Sequence, residues 1–157
     1  MKKVSLLVFQ NKTEKWAEDA AEGYVKKIKP FIDFNRVPLK SPQFERSEKD
    51  KKLSKEAEIL LKALGKGDTL ILLDEKSKKL NSINFSKLLE KELEMASSRI
   101  CFVIGGPYGF SDTIKQKAKL SVSLSDLTFN HHLAQVVALE QIYRAFTIMK
   151  GLPYHNE

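Results

Sequence analysis

DTLILLD, residues 68–74, carries four consecutive apolar side chains, Leu70 to Leu73, between two aspartates. A strand with one face in water alternates apolar and polar residues, so an unbroken apolar run bounded by turn residues reads as a strand covered on both faces. KVSLLVF (3–9), RICFVIG (99–105) and LSVSL (120–124) read as further strands, and FIDFNRVPL (31–39) as one more. Pro38 cannot donate to a ladder on both sides, which puts that last strand at an edge. Amphipathic stretches separate the strands. Strand and helix therefore alternate from end to end, with no linker, repeat or low-complexity segment. This predicts an α/β fold with a largely parallel sheet, helices on both faces, and a single domain over residues 1–157.

The helical stretches carry their own punctuation. TEKWAEDAAEGYVKKIK (13–29) spaces Trp16, Ala20, Tyr24 and Ile28 four apart and stops at Pro30. SEKDKKLSKEAEILLKALG (47–65) opens with Ser47 and Asp50 in capping positions and closes at Gly65. Ser82 is placed to cap INFSKLLEKELEMAS, and SDTIKQKA (111–118) is a short helix. The last helix, HHLAQVVALEQIYRAFTIMK (131–150), is apolar on two sides: Leu133, Val136 and Val137 on one, Leu139, Ile142, Phe146 and Met149 on another. A face that wide is either sunk in the chain's own core or covered by a second copy of the chain.

Ligands of open parallel sheets lie beyond the carboxyl ends of the strands. That rule nominates the loops after Leu73, Ile104 and Leu124. The second loop, GGPYG (105–109), lacks the G-x-G-x-x-G spacing of a dinucleotide site, and GKGDT (65–69) lacks the ending of a phosphate-binding P-loop. Nicotinamide and nucleoside-triphosphate chemistry are set aside. What remains is bare backbone against which a planar or neutral ligand can lie, or an ordinary tight turn. The third loop, SLSDLTFNHHL, gathers Ser123, Ser125, Thr128, Asp126, Asn130, His131 and His132. Asn130 or Thr128 suits a helix cap. Adjacent histidines with no cysteine or acidic cluster at ligand spacing give no metal site, and no G-x-S-x-G elbow supplies a serine nucleophile.

Net charge is +7, and residues 1–80 hold 19 Lys+Arg against 13 Asp+Glu. A basic half suits a polyanionic partner such as nucleic acid, or simply a solvated lysine-rich surface. Lys26, Lys27, Lys29, Lys51 and Lys52 are the candidate phosphate contacts. No run approaches the length of a membrane span, and the apolar run of MKKVSLLVFQNK is too short for a signal peptide. The single cysteine, Cys101, precludes an intrachain disulfide and suits a cytoplasmic location. Glu140 and Arg144 are spaced for an intrahelical ion pair. Tyr154 and His155, in the tail GLPYHNE, are able to stack on a base or handle a proton.

LLDEKSKKLNSINFSKLL (72–89), FVIGGPYGF (102–110), LSDLTFNHH (124–132), LEQIYRAFTIMKG (139–151) and PYH (153–155), in that order, resemble the RlmH family of ribosomal RNA large-subunit methyltransferases, within the SPOUT class. The similarity runs over essentially the whole chain. It implies an α/β sandwich with a deep C-terminal trefoil knot and a homodimer formed through the last helix. The implied activity is methylation of N3 of a pseudouridine in helix 69 of 23S rRNA by S-adenosylmethionine, without metal or membrane. Carried over by motif, cofactor contacts fall on Leu73, Gly105 and the run Leu124, Ser125, Asp126, Leu127, Thr128 and Phe129. The glycines of GGPYG then make room for the cofactor. In the same reading His131 or His155 assists loss of the imide proton, Tyr154 orients the base, and Arg144 holds phosphate or Glu140. Two positions depart from the family: Ser77 stands where glycine is common, in an expected turn, and Gln135 where arginine is common, removing a cation near the expected site. The rival readings are a methyltransferase for another RNA position and a basic ribosome-binding protein without catalysis.

Overall fold

A computed structural model describes residues 2–156. Five strands, β1 (Lys3–Phe9), β2 (Asp33–Leu39), β3 (Thr69–Lys79), β4 (Ile100–Ile104) and β5 (Leu120–Ser123), form one sheet in the order β2-β1-β4-β3-β5. Every pairing between neighbouring strands is parallel. The helices are α1 (Lys15–Ile28), α2 (Lys49–Ala63), α3 (Ser82–Met95), α4 (Asp112–Lys117) and α5 (His131–Met149). β2 is an edge strand, and its Pro38 faces only Val8 of β1.

Parity along the strands sorts the core into two layers. Val4, Leu6, Val8, Ile71, Phe102 and Ile104 point to one face, where α1, α3 and α5 cover them. Leu7, Phe9, Leu70, Leu72, Cys101 and Val103 point to the other, beneath α2 and the short α4. Cys101 is thus a packing residue, and burial pushes its thiol up to about 12. The wide apolar surface of α5 is largely accounted for within the chain. It lies between α1 and α3 and buries Ala138, Leu139, Ile142, Ala145 and Phe146.

Several sequence expectations shift. The buried face of α1 is Ala17, Ala21 and Ile28, and Trp16 is exposed. α2 is preceded by a 3-10 turn whose capping box joins Glu45 to Glu48, so Ser47 and Asp50 do not cap it. Asn81, not Ser82, caps α3, accepting from the Asn84 N–H at 2.8 Å. Most consequential is β3, which continues past Asp74. Val122 of β5 pairs with both Leu73 and Lys78, so residues 74–77 bulge out of the ladder. Ser77 therefore sits in this bulge instead of a turn, its hydroxyl bonded to that of Ser121.

Candidate active site

The bulge of β3 and the carboxyl ends of β4 and β5 open into one cleft of about 380 Å³. Its walls are the bulge (Asp74, Glu75, Lys76), the glycine loop (Gly105 to Gly109), the loop after β5 and Ala134 in the first turns of α5. Leu73, Gly105, Leu124, Ser125, Leu127, Thr128 and Phe129 all line it. Asp126 does not; its carboxylate turns away to Lys79 at 2.7 Å. The third loop is held by its own hydroxyls, with the Ser123 hydroxyl donating to the Ser125 carbonyl at 2.9 Å and the Leu127 N–H donating to Ser125 Oγ at 2.9 Å. Thr128 Oγ1 donates to Glu75 at 2.8 Å, which ties that loop to the bulge. The two walls thus brace one another.

The glycine loop is a tight turn closed by a Gly109 N–H to Gly106 carbonyl bond of 3.1 Å. Its bareness serves the protein's own packing. A Cβ on Gly105 would lie 3.0 Å from the Gly109 carbonyl oxygen and from the Phe110 ring, and a Cβ on Gly106 would lie 2.5 Å from Glu56 Oε2. The close approach at Gly106 is by a buried carboxylate from α2, while the main chain of the loop lines the cleft. Burial raises the Glu56 pKa, against the pull of Lys52.

A family model described as "Predicted SPOUT methyltransferase" matches residues 2–155. The chain belongs to the SPOUT methyltransferase family. A curated relative from Bdellovibrio bacteriovorus, "Ribosomal RNA large subunit methyltransferase H", is 43% identical over 91% of this chain and 92% of its own length. One of the same name from Bacteroides thetaiotaomicron is 38% identical over 99% of each chain. Among solved structures, a probable rRNA-methyltransferase from Porphyromonas gingivalis aligns with a TM-score of 0.50 and 13% identity, covering 94% of this chain and 69% of that one. At that identity the likeness concerns the fold alone.

In this SPOUT methyltransferase the four side chains expected to act on the substrate fall into two groups. His131 opens α5, beside the cleft wall, its ring 4.0 Å from that of His132. Burial, and then His132, lower its pKa, with Glu14 opposing. Arg144, Tyr154 and His155 gather instead toward the other end of α5. Arg144 lies ten residues beyond Ala134, about 15 Å along the helix at 1.5 Å per residue. There Glu140 accepts from Arg144 Nη2 at 2.6 Å and from the Tyr154 hydroxyl at 3.0 Å. Arg144 also reaches His155 Nδ1 at 3.1 Å and lies 4.7 Å from the centre of the Tyr154 ring. Burial and Glu140 push the Tyr154 hydroxyl up to about 12, so it stays a donor at neutral pH. The tail is held by these contacts, contrary to the frayed end its position suggests. His155 lines a second cavity of about 350 Å³ that shares Leu124 with the first.

Gln135 is fully buried and does not line the cleft. It accepts from Arg36 at 3.0 Å and donates to Gln10 at 3.2 Å, and Arg36 in turn pairs with Glu18 at 2.5 Å. Arg36 of β2 is thus the cation against Gln135, in a polar cluster outside the cleft lining. Glu56 supports the glycine loop with no local signal in the sequence, since it lies 50 positions from Gly106. Among the described residues, no group of three or more His, Cys, Asp or Glu side chains is placed to hold a metal, and no helix is long and apolar enough to cross a membrane.

Proposed function

We propose that the chain transfers a methyl group from S-adenosylmethionine to N3 of a pseudouridine in helix 69 of 23S rRNA, on the assembled ribosome. The observation that carries this is the cleft at the three strand-end loops, in a chain whose curated relatives, 32–43% identical, bear the rRNA methyltransferase name. A volume of about 380 Å³ is within the range of small-molecule sites. The cleft offers main-chain groups of residues 105–109 and 124–129 with apolar walls from Leu73, Leu124 and Phe129, which fits a nucleoside bearing a charged amino-acid end. Those residues would hold it. Bound there, the cofactor supplies an electrophilic methyl group on a sulfonium.

The chain's part is alignment, proton removal and exclusion of water. His131, beside the cleft wall and with its pKa lowered by burial and by His132, is the candidate proton acceptor within the chain's own cleft. Arg144 is always protonated, so its bond to His155 makes Nδ1 the acceptor and leaves the proton on Nε2. Tyr154 and Arg144, fixed on Glu140, form a rigid aromatic and cationic tip suited to a base and its phosphate. Their distance from the cleft along α5 supports a homodimer in which a second copy brings its tail to the site. Leu127 (72% exposed) and Leu133 (38% exposed) give that copy an apolar surface beside α5. The trefoil knot belongs to the same proposal, supported by the return of α5 from the β5 edge to the middle of the sheet. A ribosomal substrate also fits a cytoplasmic location.

The test is transfer of labelled methyl from S-adenosylmethionine to ribosomes from a strain lacking the activity, followed by nucleotide mapping. Label at the helix 69 pseudouridine is the expected result. Label at another nucleotide replaces the substrate, and cofactor binding without transfer to any ribosome refutes the catalytic reading in favour of a binding protein.

A further inference from the structure

The lysines that make the first half basic are not equivalent once folded. α1 runs back from the carboxyl edge of the sheet, so Lys26, Lys27 and Lys29 near its end lie at the edge opposite the chain's own cleft. On α2, Lys51 pairs with Glu48 at 3.1 Å, and Lys55 and Lys62 both pair with Glu58 at 3.4 Å. Lys49 and Lys52, one turn apart on the face toward the cleft, are different. Among the described residues neither makes an ion pair, and their ammonium groups stand 5.8 and 5.9 Å from the centre of the Tyr108 ring. Lys49, Tyr108 and Lys115 line the cleft mouth, and among the described residues Lys115 too is without an ion pair. Of the carboxylates that line the cleft, Glu75 is engaged by Thr128 and Asp74 by the Lys76 N–H, and beneath the rim Lys52 acts on the buried Glu56. The rim thus sets two cations, Lys49 and Lys52, beside one half-exposed aromatic ring, with Lys115 on the lining of the same cleft.

Resting on the function proposed above, we infer that this rim is where the RNA strand flanking the target nucleotide docks. Lys49, Lys52 and Lys115 meet successive phosphates, and Tyr108 takes an unpaired base on its face. Cations around an aromatic platform are the chemistry of single-stranded RNA recognition, in which stacking tolerates any base and the lysines follow the backbone. Tyr108 is held on a turn whose Gly106 rests on Glu56, one turn of α2 beyond Lys52, so the platform and the cations share one support.

The experiment compares Lys49→Gln/Lys52→Gln with Lys55→Gln/Lys62→Gln, which removes the same charge from the ion-paired face. Binding to unmethylated ribosomes is read by sedimentation across a salt series, KM and kcat by methyl transfer, and cofactor affinity by calorimetry. The rim variant is expected to bind about tenfold more weakly, to raise KM with kcat and cofactor affinity unchanged, and to flatten the salt dependence by about 0.7 for each phosphate no longer neutralised. The control pair stays near wild type. Tyr108→Ala weakens ribosome binding about tenfold and Tyr108→Phe restores it, since only the ring face is used. Equal losses in both lysine pairs, no loss in either, or weaker binding with an unchanged salt slope overturn the docking surface while leaving the methyltransferase reading intact. Failure of the wild-type chain to bind ribosomes at any salt overturns both.

Discussion

Gly106→Ala tests the account of the glycine loop most sharply. The new Cβ would stand 2.5 Å from Glu56 Oε2 and 3.2 Å from its Cδ and Oε1, closer than real contacts permit. Glu56 is 5% exposed and its one side-chain partner among the described residues is the Ser41 hydroxyl at 3.5 Å, so the carboxylate must swing aside within a buried layer, giving up that weak bond. Overpacking of this kind costs about 1–3 kcal/mol. For a chain of this length, about 2 kcal/mol lowers Tm by about 4–8 °C. Glu56→Ala removes the obstructing group, so the double variant should recover most of what Gly106→Ala loses, a coupling of about 1–2 kcal/mol in a double-mutant cycle. Denaturant melts of the four proteins measure it, and calorimetric cofactor titration reads whether the loop's cleft face moves. Additive losses would refute the proposed contact. A pH arm is independent of the loop. Burial raises the Glu56 pKa above its ordinary 4.5, so between the two values the folded chain binds more protons than the unfolded one. Stability then falls as pH rises through that window. Glu56→Gln lacks this loss, and its advantage over wild type should grow across the same window and level off above it.

Three further outcomes follow from named contacts. Asp68 is bonded to Arg99 at 2.8 Å and to the Gly65 N–H at 2.7 Å; burial raises its pKa, but these partners outweigh it and hold it below the ordinary 3.8. Its contribution is present above that value and lost as pH falls through the lowered one; Asp68→Asn should cost about 3 kcal/mol at neutral pH and flatten the acid limb of the stability profile. Gln135→Arg places a second guanidinium, at a fully buried position, against the partly buried Arg36 and should destabilise by about 3 kcal/mol in thermal melts, with Arg36→Gln in the same chain restoring most of it. In methyl-transfer assays Arg144→Ala should lower kcat more than tenfold at unchanged cofactor affinity, about 1.4 kcal/mol or more of transition-state stabilisation.

Strand identity, parallel direction and the three loops of the cleft were legible in the sequence because each depends on local pattern: the apolar runs at Leu70–Leu73 and Ile100–Ile104, the proline of β2, the glycines after β4. The bulge at residues 74–77 was not, because the sequence DEKSKK carries the same composition whether it turns or stays extended; the pairing of Val122 decides it. The roles of Gln135, Arg36 and Glu56 were hidden for a related reason. A buried polar side chain is recognised by its partner, and those partners lie 99 and 50 positions away in the chain. The tail cluster was half visible, as Glu140 and Arg144 on one helix face, with its third member, Tyr154, reached only through the folded turn at Gly151.

The strand order bears on how the chain reaches this state. Of these five strands β1 is made first, and until β4 is made it can pair only with β2; its other neighbour is β4, with Val4 paired to Ile100. Until β4 is made, β1 presents an open ladder edge, and β3 has no neighbour on either side before β4 and β5 arrive. Three of the four strand pairings involve β4 or β5 and so wait for the later part of the chain. Pairings of such long range close slowly. The chain should emerge with at most its first two strands joined, and acquire the rest of its core and its cleft together, in one late event.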